Sequence, residues 1–259
     1  MEPKKKQRSS AVRHQENLPE AAPAHHFATT AWSVVIKAGE NRSPESRQAM
    51  ETLCSGYWYP LYAYLRRKGL GSHEAEELTQ AFFAHLLERD RLGTVDPIRG
   101  RFRSFLLTSL NHFMIQDWRK KNTVKRGGNV QKLSIDFGDA DQRYSHEPVE
   151  ALTAEKLFER KWAIQILQRV LDQLQVQYQE RGRSELFEAL KPRLMSADSG
   201  PLRDVATQLG MNEITVKVAA HRMREKYRKL LLQTISQTVE NPDDVKQEIE
   251  HLFSALSTK

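Results

Sequence analysis

The stretch Leu202-Arg203-Asp204-Val205-Ala206-Thr207-Gln208-Leu209-Gly210-Met211-Asn212-Glu213-Ile214-Thr215-Val216-Lys217 decides the fold class. Leu202 to Leu209 reads as a short helix. Gly210 follows where the chain must turn left-handed, a conformation glycine takes without strain. Asn212 is a good N-cap for a second helix through Glu213, Thr215 and beyond. Ala206 is small where two helices would cross closely, and Val205, Leu209, Met211, Val216 and Ala219 fall at apolar contact positions. Met223, Tyr227, Leu230 and Leu231 continue the inward stripe, while Lys217, His221 and Arg224 share an outer face. A helix-turn-helix with a basic second helix suits a DNA major groove. Cations there meet phosphates, and residues near the helix start read bases.

The rest of the chain is also patterned for helices. Trp32, Val34, Val35 and Ile36 open the structured part, and Ser43-Pro44 is a helix-start signal. Met50, Leu53, Cys54, Tyr57, Trp58, Leu61 and Leu65 then recur at helical spacing, with Pro60 expected to kink or divide the helix. Ser72 caps a helix with Glu74, Glu76 and Glu77 in its first turn and a core stripe of Ala75, Leu78, Phe82 and Leu86. A third helix is expected from about Arg101 to Lys121, with Phe105, Leu106, Ser109, Phe113 and Ile115 inward. Residues 122 to about 150 have no helical period and read as a linker, although Leu133 and Ile135 have the character to dock on a neighbour. A helix from Thr153 carries Trp162, Ile166, Leu167, Val170, Leu171 and Leu174. A short one with Leu186, Phe187 and Leu190 stops at Pro192, and Asn241-Pro242-Asp243-Asp244 starts the last. Its apolar stripe is Val245, Ile249, Leu252, Phe253 and Leu256.

The 259 residues suffice for one large domain or two small ones, and 39% hydrophobic with 28% charged residues is a foldable mixture. With 12 Gly and 10 Pro, a loop-rich all-β fold is disfavoured. A single cysteine, Cys54, excludes an internal disulfide framework and suits a reducing cytosol. No run of apolar residues is long enough to span a membrane. The net charge of +7 points to an anionic partner. Its excess is concentrated at Arg99–Arg126 and Lys217–Lys229, whereas Glu240–Glu250 is acidic. None of the nine histidines forms a metal pair with a helical carboxylate or cysteine, and no Gly-rich phosphate loop, Ser-centred elbow or kinase signature occurs. No cofactor is expected.

Ser72-His73-Glu74-Ala75-Glu76-Glu77-Leu78-Thr79-Gln80-Ala81-Phe82-Phe83 resembles the polymerase-binding helix of bacterial sigma factors. Arg101-Phe102-Arg103-Ser104-Phe105-Leu106, with Asn111 and Asp117-Trp118-Arg119-Lys120, resembles the adjoining promoter-melting segment. With the helix-turn-helix after a linker, this order is similar to the extracytoplasmic-function (ECF) group of the sigma-70 family. Phe158–Ala163 and the segment from Gln237 to Leu256 resemble a subgroup with a C-terminal extension. The resemblance implies a non-enzymatic, cytoplasmic sigma factor that binds core RNA polymerase and promoter DNA. It allows an anti-sigma protein or other regulator as a further partner. It assigns Glu76, Glu77, Gln80, Phe83 and Leu87 to polymerase, with Phe83 an exposed aromatic of a second helix stripe. It assigns Arg103, Asn111, Trp118, Arg119 and Lys120 to single-stranded promoter DNA, where aromatic and basic groups together stack bases and hold phosphates. Thr215, Lys217, His221, Arg222 and Arg224 fall to duplex DNA. Val218 and Ala219 depart from the family's polar pattern there.

The expected architecture is therefore all-α, with two small helical domains joined by a flexible linker. A disordered basic tail covers 1–28, the N-terminal domain 29–121, the linker 122–152, the helix-turn-helix domain 153–235 and an acidic helix 236–259. That last helix is expected to pack internally. Its charge also suits it to shielding the basic helix. Two other readings compete: a stand-alone helix-turn-helix regulator, which would bind an operator without polymerase, and a DNA-processing enzyme with scattered carboxylates.

Overall fold

The Ser43-Pro44 start signal works as its chemistry requires: Ser43 Oγ accepts a 3.0 Å bond from the Ser46 amide, and Pro44 occupies the first helical position. The computed structural model describes residues 32–39, 43–88, 92, 101–123, 135–147, 152–195, 200–239 and 241–257. All regular elements among them are helical. The basic tail, Gly127-Gly128 and Leu133 lie outside the described residues, as do the side chains of Leu87 and Lys120.

Helix α1 (Trp32–Gly39) packs on α2 (Pro44–Arg67), tied by Ser46 Oγ donating to the Ala38 carbonyl at 3.2 Å. Pro60 does not divide α2. One missing amide bond is outweighed by burial, because Tyr59, Pro60, Leu61, Tyr62, Ala63, Tyr64 and Leu65 are all buried. Helix α3 (Ser72–Glu88) packs on α2 and on α4 (Phe102–Thr123). Ser72 is the first residue of α3, and its Oγ lies 3.0 Å from the Tyr62 hydroxyl.

The expected linker is partly structured. It contains α5 (Ala140–Ser145), and Ile135, Phe137 and Tyr144 pack against the core. Phe137 meets Trp58 edge-on at 5.3 Å, and Asp141 pairs with Arg66. Sequence periodicity misses this segment because a six-residue helix is too short to show a repeat.

Helix α6 (Ala154–Gln179) begins at Thr153, whose Oγ1 accepts from the Lys156 amide. Helix α7 (Ser184–Leu190) ends before Pro192, which opens a further turn, α8 (Pro192–Met195). Then come α9 (Leu202–Leu209), α10 (Glu213–Ser236) and α11 (Asp244–Ser257). Asn241 Oδ1 accepts from the Asp243 amide just before α11, as the start signal predicts.

Among the described residues the helices pack around two larger hydrophobic cores, with a small third cluster of Ala63, Leu152 and Leu157. The larger holds α1–α4 together with Ala154, Phe158, Trp162, Ala163, Ile166 and Val170 of α6, Leu231 and Ile235 of α10, and Leu252 of α11. The smaller holds Leu171, Leu174 and Tyr178 of α6 with Phe187, Leu190, Val205, Ala206, Val216, Ala220 and Met223. Helices α6 and α10 thus pass from one core into the other. The apolar stripe of a 26-residue helix is long enough to serve both. Cys54 lies in the larger core, where burial pushes its thiol up to about 12.

Candidate nucleic-acid interface

The turn between α9 and α10 is built as its sequence dictates. Gly210 sits at φ +61°, and the Met211 amide reaches back to the Ala206 carbonyl at 2.9 Å, closing α9. Asn212 Oδ1 accepts from the Ile214 amide at 2.8 Å and opens α10. Val216, Ala220 and Met223 point into the smaller core, which turns Thr215, Lys217, Val218, His221, Arg222 and Arg224 outward, all exposed. Ala220 is the buried alanine, with Ala219 half-buried beside it. Lys217, His221, Arg222 and Arg224 make no ion pair among the described residues. Beside them is a cluster that sequence reasoning missed. Burial first, then the like charges of Arg181 and Arg183, lower the Lys226 ammonium pKa, so the α6–α7 turn brings its arginines up to α10. The signal was Arg181-Gly182-Arg183, a glycine turn flanked by cations.

The far end of α4 offers a second exposed face. Trp118 is 67% exposed and Ile115 lies on the same side, while Arg119 and His112 are exposed as well. Ile115 was expected in the core. Phe102, Leu106 and Leu110 fill that place instead, and Phe113 is packed at the core's edge against Phe82 and His85. The Trp118 indole is thus open to water next to the Arg119 cation.

Two residues assigned to that face are engaged elsewhere. Arg103 is only 3% exposed, so its expected role on DNA is corrected. Its Nε donates to Glu159 Oε2 at 2.8 Å, its Nη2 to Glu248 Oε2 at 3.1 Å, and its guanidinium lies 4.0 Å from the Trp162 ring centroid. Burial alone would lower its pKa. The hydrogen bond to Glu248 and the charges of Glu159 and Glu248 outweigh that, holding it above its ordinary value. Arg101 Nε reaches the same Glu248 at 2.7 Å, and His251 lies 3.0 Å from Glu159. Asn111 is half-buried, with Oδ1 accepting from the Tyr64 hydroxyl at 2.9 Å.

The third face is on α3. Glu77 is exposed, lying 3.4 Å from His73 across one turn, and Glu76 and Gln80 are half-buried. Phe83 is 1% exposed, which corrects the expectation of an exposed aromatic. A helix packed on two neighbours buries a wide face, so Phe82 and Phe83 both turn inward despite being adjacent.

Residues 58–124, from within α2 through α4, match the model of the family Sigma-70 region 2. No curated protein and no solved structure matches the chain. The matched segment includes α3 and the Ile115–Trp118 face, whereas α6 to α11 lie beyond it. Among the described residues, no group of three or more His, Cys, Asp or Glu side chains stands ready to hold a metal ion. No described helix is long and apolar enough to cross a membrane.

The acidic C-terminal helix does not lie over the basic outer face of α10. Helix α11 packs on α6 and on α10, where Leu231 and Ile235 share the larger core with Leu252. Its carboxylate Glu248, wholly buried, serves Arg101 and Arg103 of the matched segment instead.

Proposed function

We propose that the chain is a sigma factor of the extracytoplasmic-function group, acting in the bacterial cytoplasm: it binds core RNA polymerase, recognises promoter DNA and helps open it. The observation that carries this reading is the region 2 match over a helical unit that exposes Trp118 next to Arg119. Glu76, Glu77, Gln80 and Leu87 on α3 meet polymerase, with Phe83 shaping that helix from within. Trp118, Arg119 and Lys120 take the unpaired strand, and stacking of splayed bases offsets the loss of pairing. The α9–α10 unit acts as a helix-turn-helix on upstream duplex DNA through Thr215, Lys217, His221, Arg222 and Arg224. Helix α11 is the subgroup's C-terminal extension and braces region 2 through Glu248. An anti-sigma protein would act by covering the α3 or α4 face.

The test is titration of labelled full-length chain into bacterial core RNA polymerase, with Gln80→Ala as the control. Saturable binding weakened several-fold by the substitution is expected. Phe83→Ala is unsuitable, because truncating a buried phenylalanine costs about 3–5 kcal/mol of folding stability. Failure to bind where a known sigma factor binds would sink the proposal. The exposed outer face of α10 also favours a second reading, a stand-alone regulator. Sequence-specific DNA binding unaffected by polymerase would select it.

A further inference from the structure

The outer face of α10 carries two apolar side chains that no core uses: Ile214, 73% exposed, and Val218, 42% exposed. They stand one helical turn apart, at the start of the helix, just after the Asn212 cap. Cations border them on both sides. Lys217 and Arg224 lie seven residues apart on one flank, and Thr215 and Arg222 do so on the other. An apolar strip between two cationic borders has the layout of a groove reader, with phosphates on either wall and base edges along the middle. In the major groove, the apolar group available to such a strip is the C5 methyl of thymine.

We propose that Ile214 and Val218 are specificity-determining residues that read thymine methyl groups in the upstream promoter element. This rests on the duplex-binding role of α9–α10 given above. The two Cα positions are separated by about 6 Å along the helix axis. Base pairs rise about 3.4 Å, so the two methyls belong to neighbouring or next-but-one base pairs. The residues that ordinarily hydrogen-bond to bases are polar or basic. Ile214 and Val218 offer no hydrogen bond, so at these two positions selectivity comes from methyl contact.

The probe is a randomised duplex library, selected with the full chain assembled on bacterial core RNA polymerase. The best duplex is then resynthesised with deoxyuridine in place of each thymine, which removes only the methyl. The expected result is enrichment of two closely spaced thymines and about four-fold weaker binding for each methyl removed, the factor corresponding to burial of one methyl-sized group. The double variant Ile214→Ala/Val218→Ala should bind thymine and uracil duplexes equally. Both residues are exposed, so the variant keeps its fold, which a melting curve checks. An enriched sequence that needs Lys217 and Arg222 but is indifferent to uracil overturns this inference and leaves duplex binding by α10 standing. No enrichment dependent on Lys217 or Arg222 overturns both.

Discussion

Truncating Glu248 to alanine should destabilise the protein by about 3 kcal/mol, at the low end of the cost of breaking a buried ion pair. Glu248 is wholly buried and serves two guanidinium groups, of which Arg103 is 3% exposed. Removing one partner of such a pair leaves a desolvated charge behind. Two features keep the loss at the low end. Arg103 retains Glu159 and the face of Trp162, and the Arg101 side chain is 30% exposed and free to turn toward water. For a chain of this size, about 2–4 °C of melting temperature goes with each kcal/mol, so the melt should fall by roughly 6–12 °C. Circular dichroism during heating, repeated in urea, measures it. The companion variant Glu248→Leu/Arg103→Met replaces the charges by apolar groups of similar size, and such exchanges are often neutral. It should recover most of the loss. A Glu248→Ala protein as stable as the parent would refute the reasoning, because a paired carboxylate with no solvent access cannot be removed silently.

Three other outcomes are expected. Gly210→Ala meets no neighbouring atom but must adopt φ +61°, and left-handed backbone at a residue with a Cβ costs about 1–2 kcal/mol, readable in urea denaturation. Cys54, with its thiol raised to about 12 by burial, favours the folded state while neutral; that contribution is complete below the unfolded pKa, near the ordinary value of 9.0, and is lost as pH rises toward 12. Stability should therefore fall across that alkaline window, and Cys54→Ala should flatten the fall; an unchanged slope contradicts the assignment. Trp118→Ala should leave stability within about 0.5 kcal/mol, since exposed positions are tolerant. It should weaken strand opening on polymerase by the ~1–3 kcal/mol of one base–aromatic stack, followed by permanganate reactivity of unpaired thymines.

The all-α class was legible because apolar residues recur at helical spacing and clear start or stop signals mark α2, α6, α9 and α10. Ser43, Thr153, Gly210 and Asn212 each do in the structure what their side chains or backbone freedom suggest. The outer face of α10 was legible for the same reason: a 3.6-residue repeat of inward positions fixes the outward ones. Arg103 was not. A cation in a basic run looks the same whether it faces solvent or a carboxylate from a helix far along the chain. The hint lay on the partner. Glu248 interrupts the inward stripe of Val245, Ile249 and Leu252, and a carboxylate at a core position demands a buried cation. Phe83 was misplaced because a single-face model of α3 allows only one of two adjacent aromatics inside. The reach of the larger core into α6, α10 and α11 was hidden for a related reason. Periodicity shows that α6 has an apolar stripe but not that its two halves meet different neighbours.

The sharing of α6 has a practical consequence. The segment before Thr153 looks like a natural place to cut the chain into two expressible pieces. The second piece would carry Ala154, Phe158, Trp162, Ala163, Ile166 and Val170 as an open apolar surface, with Glu159 and Glu248 stripped of Arg103. The first piece would present the matching half of that surface together with two orphaned arginines. Neither closes the larger core by itself. They are the two parts of a split protein, complementary in shape and charge, and made as separate chains they would reassemble through the interface that α6 and α11 now form with α2 and α4.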